Sequence, residues 1–495
     1  MSSRSAEPVR VAAVDLGATS GRVMACRVGA RTLHLEELHR FGNGAVPVQG
    51  SLYWDVLGIH REVLVGIREV ARTGRLHGIG IDSWAVDYGL IDRDGRLVAN
   101  PRSHRDSRTD GVPARVRKAV PDAELYGVTG LQQLPFNTIY QLVSELGTPA
   151  LEAAERMLLL PDLLTYWLTG EVGAERTNAS TTGLYDVRTG EWSQELAERT
   201  GLPLSLLPPV REPGAVVGPV VAEVAEYVGL HDVPVISVGS HDTASAVVGV
   251  PAGEESFAYI SSGTWSLVGL ELGSPVLTAE ARKADFTNET GVDGTIRFLK
   301  NVMGLWVLSE CLRTWADRRL RDVTLPALLA GAADSPALRS VVDINDPQLL
   351  APGDMPARIQ DLAREAGEPV PRTPVAITRT ILDSLALAYR RNVRLAASLA
   401  GRDLDVVHVV GGGAQNALLC QLTADALELP VLAGPAEAAA LGNGLVQARA
   451  LRQLEGSADL PDLAAMRALI RRTHDVRRYE PTGGLDWDAA ASRVG

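Results

Sequence analysis

The sequence predicts an α/β chain made of two similar halves, and three observations lead there. Short apolar runs alternate with helix-spaced segments along most of the length. A strand, glycine turn and second strand at VAAVDLGATSGRV (11–23) recur as FAYISSGTWSLVG (257–269), about half the chain later. A further glycine-rich junction, GGGAQN (411–416), follows the apolar run VVHVV (406–410).

The elements follow in order. Residues 9–14 read as a buried strand ending at Asp15, with a glycine turn over 17–21 and a returning strand over 23–28. Residues 33–40 add a third strand, and 59–71 have helical spacing. An apolar strand at 79–81 is interrupted by Trp84 and Asp87, and helical patterns dominate 110–170. A strand over 233–239 runs into a small-residue helix over 241–248. The second half gives a helix over 378–399 with Ile381, Leu385 and Leu387 on one face. Then come a strand over 406–410, a helix opened by 411–416, a strand over 430–432 and a charged helix over 464–479. The halves are expected to meet near 250, with PAGEES (251–256) as the crossing, giving domains 9–250 and 251–480. Residues 316–375, richer in Pro, Ala and Asp, carry no readable pattern.

Composition narrows the classes. The 495 residues are 46% hydrophobic and 22% charged, with net charge −12. That suits a globular chain of two or three domains. It argues against nucleic-acid binding, which needs a concentrated basic face. No apolar run reaches about 18 residues, so no membrane span is expected. The N-terminus lacks the apolar core of a signal peptide. Cys26, Cys311 and Cys420 lie far apart, with no CxxC pair, and fit a reducing, cytoplasmic setting. No HExxH, G-x-S-x-G or Walker motif occurs.

Four places could carry chemistry. Asp15 beside the turn Gly17, Ala18, Thr19, Ser20, Gly21 could hold a hydrated cation while turn amides meet phosphate oxygens. An ordinary hairpin turn reads equally well until the second copy, Ser261 to Ser266, is considered. GGGAQN departs from the dinucleotide fingerprint at Asn416 and suits a nucleotide site or close strand–helix packing. In GSHDTAS (239–245), Asp242 sits where a strand meets a helix. There it could accept the proton of an attacking hydroxyl or simply cap the helix. In IDSWAVDYGLID (81–92), Asp82 and Asp87 bracket Trp84, an arrangement suited to a polyol or to a buried strand. The charges of HRDSRTD (104–110) read as a solvated, salt-bridged surface.

These segments resemble the FGGY carbohydrate kinases over about residues 9–480. The resemblance rests on VDLGATSGR, IDSWAVDYGLID, HRDSRTD, LPFNTIYQL (134–142), PDLLTYWLTG (161–170) and TNASTTGLYD (177–186) in the first half. In the second half it rests on GSHDTASAV, YISSGTWSLVG, FTNETG (286–291), FLKNVMGLW (298–306), ILDSLALAYR (381–390), VVGGGAQN and EAAALGN (437–443). It implies a two-domain actin-like ATPase (ribonuclease H-like) α/β fold with an interdomain catalytic cleft. It implies ATP-dependent phosphorylation of L-rhamnulose to L-rhamnulose 1-phosphate, a step of L-rhamnose breakdown. Kinases for L-fuculose, D-xylulose or L-ribulose, or a non-catalytic actin-like regulator, are the alternatives. By this resemblance Asp242 is the base. His241, Thr243, Asn301, Trp84 and Ala85 meet the sugar. Ala18, Thr19, Ser20, Gly21, Arg22 and Thr264 hold the ATP phosphates, and Gly411 and Gly412 border the adenosine. Mg2+ lies near Asp15 and Asp242 through water. Relatives carry glycine where this chain has Ala85, whose methyl narrows the sugar pocket. A monomer or homodimer is expected.

Overall fold

A computed structural model describes residues 7–230, 232–253, 256–320, 323–457 and 459–494. They form two compact units. The first holds the described residues up to Gly249, with Leu272–Phe298 and Ala438–Thr473. The second holds those of 250–271, 299–437 and 474–494. The break at 249/250 lies where the repeat places it, although Glu254 and Glu255 of the expected crossing are outside the described residues. A contiguous 9–250 and 251–480 division does not anticipate the two later segments in the first unit.

The first unit is built on a six-stranded sheet. Its strands are β1 (Val9–Leu16), β2 (Ser20–Gly29), β3 (Thr32–Gly42), β4 (Gly78–Ser83), β5 (Val216–Pro219) and β6 (Pro234–Ile236), in the order β5-β6-β4-β1-β2-β3. β1 runs antiparallel to β2 and parallel to β4, and β6 is parallel to β4. β1 is apolar over residues 11–14 because both its faces are covered there. Ala12, Val14 and Leu16 pack with Ile59, Val63 and Ile67 of the helix Val56–Arg72. Val9 and Val11 pack on the opposite face with Leu441 and Leu445 of the helix Ala438–Leu454. This second face explains the late return of the chain: without it the odd-numbered side of β1 would stand in water. Gly66 and Gly444 let the two helices approach, since a Cβ on either would fall within 2.5 Å of Val23 or Cys26.

The second unit repeats the arrangement. β7 (Phe257–Ser262) and β8 (Ser266–Leu272) form an antiparallel hairpin. β9 (Val406–Val410) lies parallel to β7, and β10 (Val431–Ala433) parallel to β9. Pro374–Ala400 is a 27-residue helix, capped by Thr373 and ended at Gly401 in the left-handed region. The tail departs from expectation. The helix stops at Thr473, and Arg477–Tyr479 forms β11, antiparallel to β10. The basic end follows helical periodicity, but pairing with an open sheet edge outweighs that local preference, and charged side chains suit an edge strand. The segment without readable pattern contains the helices Leu325–Ala333 and Met355–Glu365. Among the described residues no helix is long and apolar enough to cross a membrane. All three cysteines are buried and free.

Candidate active site

Two strand ends and one helix start bring carboxylates together in the first unit. Asp15 and Asp82 are register partners at the carboxyl ends of parallel β1 and β4. His241 bridges Ser83 one step further along, which places Asp242 beside them at the start of the helix Asp242–Val248. Carboxyl ends of parallel strands are where open α/β sheets bind ligands. The three acids repel one another. Burial, then the Asp15 and Asp242 charges, pushes the Asp82 pKa well above the usual carboxylate range, against a hydrogen bond from Asn443. Burial also raises that of Asp242; His241 opposes the shift and Asp15 adds to it. About a third of the Asp242 side chain (34%) remains open to solvent, so part of that repulsion is screened.

Each acid has a different tether. Asp15 pairs with Arg22, its partner across the β1–β2 hairpin. Arg22, expected at the phosphates, thus also serves Asp15. Asp82 is fully buried and accepts from Asn443 Nδ2 at 2.6 Å, while its Oδ1 has no hydrogen-bond partner. Asp242 accepts from its neighbour Thr243 Oγ1 at 3.0 Å. Among the described residues no three His, Cys, Asp or Glu side chains form a direct metal cage. Mutual repulsion and the orphaned Asp82 oxygen fit a hydrated divalent cation instead. Sequence reasoning left Asp82 among the sugar-binding candidates; the β1–β4 register places it in the acid cluster.

The loop Gly239 to Asp242 is gripped from behind. Glu175, almost fully buried, accepts from Ser240 N and Ser240 Oγ, both at 2.9 Å, and from Thr177 Oγ1 at 2.5 Å. Burial raises its pKa against these donors. Thr177 Oγ1 accepts from His241 N at 3.3 Å, and Ser83 N donates to Ser240 O at 2.9 Å. The TNASTTG segment is therefore a brace for the Asp242 loop, and Glu175 is a supporting residue no local motif revealed. The turn at Ala18 and Thr19 has a similar brace, with Asn43 donating to Gly17 O and Thr19 O.

The IDSWAVDY segment forms a buried wall. Trp84 packs on Trp54 with ring centroids 4.4 Å apart. Asp87 Oδ2 receives Trp54 Nε1 at 2.7 Å and Trp84 Nε1 at 2.8 Å, and lies 2.7 Å from His104 Nδ1. Oδ2 is thus spent on the wall, while Asp87 Oδ1 is buried with no hydrogen-bond partner and is the acceptor left for a polyol hydroxyl. Between Trp84 and Asp87 stand half-buried Ala85 and buried Val86, the latter at φ 68°. A β-branched residue in the left-handed region is strained. Thr138 Oγ1 and Gln141 Nε2 hold its carbonyl at 2.7 and 3.2 Å, which gives the FNTIYQL segment a function. Of the HRDSRTD charges, Arg105 and Asp110 are exposed as expected, but Asp106 and Arg108 turn inward. Asp106 is buried and accepts from Leu52 N, and Arg108 reaches Gln141 and Ser103.

In the second unit Thr264 is exposed at the tip of the β7–β8 turn, whose carbonyls accept from Leu305 N and Trp306 N. Asn301 is half-buried near the end of the strand Ile296–Val302. The three glycines after β9 divide their work. A Cβ on Gly411 would lie 2.8 Å from Ser262 O, and one on Gly413 2.0 Å from Ser262 Oγ; these two serve close packing. Gly412 is exposed with open space where its Cβ would be, leaving room for a ligand.

Two sheets that repeat a hairpin and parallel strand, with acids gathered at the strand ends of one, define a phosphotransferase-like architecture. Residues 11–249 match the model for the N-terminal domain of the FGGY family of carbohydrate kinases, and 258–451 that for its C-terminal domain. The chain belongs to the FGGY family of carbohydrate kinases. Within it, the chain is 41% identical to a rhamnulokinase of Bacteroides thetaiotaomicron over 97% of both chains. It is 42% identical to one of Pectobacterium carotovorum, covering 96% of this chain and 94% of the relative. In fold it is similar to the gluconate kinase of Lactobacillus acidophilus (TM-score 0.78, 16% identity, 98% and 95% covered). It is likewise similar to the xylulose kinase of Rhodospirillum rubrum (TM-score 0.76, 20% identity, 98% and 97% covered).

Proposed function

We propose that the chain transfers the γ-phosphoryl group of ATP to the 1-hydroxyl of L-rhamnulose, giving ADP and L-rhamnulose 1-phosphate, in the cytoplasm where ATP is supplied. The observation that carries this reading is the near full-length similarity to rhamnulokinases at 40–42% identity. Asp242 takes the hydroxyl proton as the oxygen attacks phosphorus and the bond to the ADP oxygen breaks. Its raised pKa and partial exposure suit a base that must meet substrate. Asp15 and Asp82 are poorer bases, being tied to Arg22 and Asn443. His241, Thr243, Asn301, Trp84 and Ala85 line the sugar. Ala18 to Arg22 and Thr264 bind the phosphates, and Gly411 and Gly412 border the adenosine. Mg2+, held through water by Asp15 and Asp242 with Asp82 behind, would neutralise phosphate charge. ADP release with Mg2+-ATP and L-rhamnulose, L-fuculose, D-xylulose, L-ribulose and glycerol tests the reading. Preference for L-rhamnulose supports it. Preference for another ketose moves the substrate and makes the Ala85 methyl the first suspect. No turnover with any of them rejects it.

A further inference from the structure

A buried ion cluster stands behind His241 on the side away from Asp242. Arg297, fully buried on the strand Ile296–Val302, places Nη1 3.0 Å from Glu289 Oε2 and donates Nε–H to Thr290 O at 3.2 Å. Its Nη2 lies 3.2 Å from His241 Nδ1 in hydrogen-bonding geometry. Glu289 Oε2 is also close to Nδ1, at 3.1 Å, but makes no hydrogen bond of good geometry there. Glu289 is held below the usual carboxylate range: burial would raise its pKa, but the Arg297 guanidinium beside it outweighs that. The opposite edge of the imidazole, Nε2, is 3.5 Å from Asp242 Oδ1.

A guanidinium offers only donors, so the bond from Arg297 requires Nδ1 to be the acceptor. The imidazole proton then sits on Nε2. We infer that Arg297, charge-balanced by Glu289, is a positioning residue that holds His241 as the Nε2–H tautomer, so that the ring donates to a sugar oxygen adjacent to the hydroxyl that Asp242 deprotonates. In a 2-ketose that oxygen is the one on C2. This divides the labour: a ring with its proton on Nε2 cannot take a second from the substrate hydroxyl through that edge, so proton acceptance falls to Asp242. The opposite tautomer, with Nδ1–H toward Glu289, would set an N–H against the guanidinium; the one inferred leaves a bare Nδ1 3.1 Å from the Glu289 carboxylate, a cost that the Arg297 bond to the same nitrogen offsets. It would also leave two acceptors, Nε2 and Asp242, facing the sugar. The inference rests on the sugar-kinase reading only for the identity of the oxygen that receives the proton.

Histidine-selective 15N NMR of the wild-type protein tests the tautomer directly, with the His241 signals assigned by their loss in His241→Asn. A protonated Nε2 and bare Nδ1 are expected; a proton on Nδ1 overturns the inference whatever the variants do. Arg297→Met should flip the ring toward Glu289. The sugar KM should then rise by about tenfold, the worth of one buried hydrogen bond, with the ATP KM unchanged. Arg297→Lys, which keeps a charge and a donor, should restore most of the loss, and the pair Arg297→Met with Glu289→Gln covers the case in which the single variant does not fold. An unchanged sugar KM in a folded variant lacking Arg297 overturns it. If wild-type protein turns over no ketose, the functional reading fails while the ring nitrogen signals still answer the tautomer.

Discussion

Replacing Asp242 by asparagine separates catalysis from stability. The substitution keeps shape and the contact with Thr243 but removes the acceptor for the hydroxyl proton. A general base contributes about 10²–10⁴-fold to rate. Here the upper part of that range is expected, about 10³–10⁴-fold or about 4–5.5 kcal/mol, because no neighbour can stand in. Asp15 is tied to Arg22, Asp82 to Asn443, and Arg297 faces the His241 ring. Stability should move the other way. A carboxyl whose pKa rises on folding holds its proton more tightly in the folded state. It therefore stabilises below its unfolded pKa, and that contribution is lost as pH rises through the folded pKa. At neutral pH asparagine removes this cost and one of three mutually repelling charges. With a third of the side chain open to solvent the gain is small, so Tm should stay level or rise by about 2 °C. Steady-state ADP release at saturating ATP and sugar, with calorimetry on the same samples, makes the measurement. A variant that keeps most of its kcat, or whose activity falls only in step with a lowered Tm, would refute the assignment of Asp242 as base.

Other substitutions probe the supports. Gly413→Ala should cost about 1–3 kcal/mol in denaturant titration, since its Cβ meets both Oγ and Cβ of Ser262, whereas Gly412→Ala should leave stability within about 0.5 kcal/mol and raise the ATP KM. Asn443→Asp would set a second carboxylate against buried Asp82; the pair's raised pKa makes the variant recover stability as pH falls, so its Tm deficit relative to wild type should shrink from pH 8 to pH 5. A deficit constant with pH would show that charge is not the cause. Asp87→Asn weakens one acceptor shared by Trp54, Trp84 and His104; a loss of about 1–3 kcal/mol with altered tryptophan fluorescence is expected, and an unchanged spectrum would mean that the wall does not depend on Asp87.

Much of the first unit could be read from residue order. The helix predicted over 59–71 is Val56–Arg72, since Ile59, Val63, Ile67 and Val70 fall on one face. The hairpin repeat is real: both copies place a three-residue turn between antiparallel strands and a parallel strand beside the first. Charge by itself is a poor mark of the surface in this chain. Asp106 and Arg108 look like solvent-facing residues, yet Asp106 is buried and Arg108 half-buried, because Leu52 N, Gln141 and Ser103 satisfy them. The tail's basic end looked helical because nothing local marks the edge of a sheet.

Residue order alone carries the α/β alternation, the two glycine hairpins, Asp242 at a strand–helix junction and membership of a sugar-kinase family. All are short-range patterns, legible because backbone periodicity and turn chemistry act within a few residues. Folding alone joins Asp15, Asp82 and Asp242, spends Asp87 on two indoles and an imidazole, and lays residues 438–454 over β1. It also sets Arg297 and Glu289 behind His241. Those partners lie tens to hundreds of residues apart, as when Asn443 caps Asp82. Which distant side chain satisfies a buried charge depends on which strands become neighbours, and that is settled by burying both faces of a sheet at once.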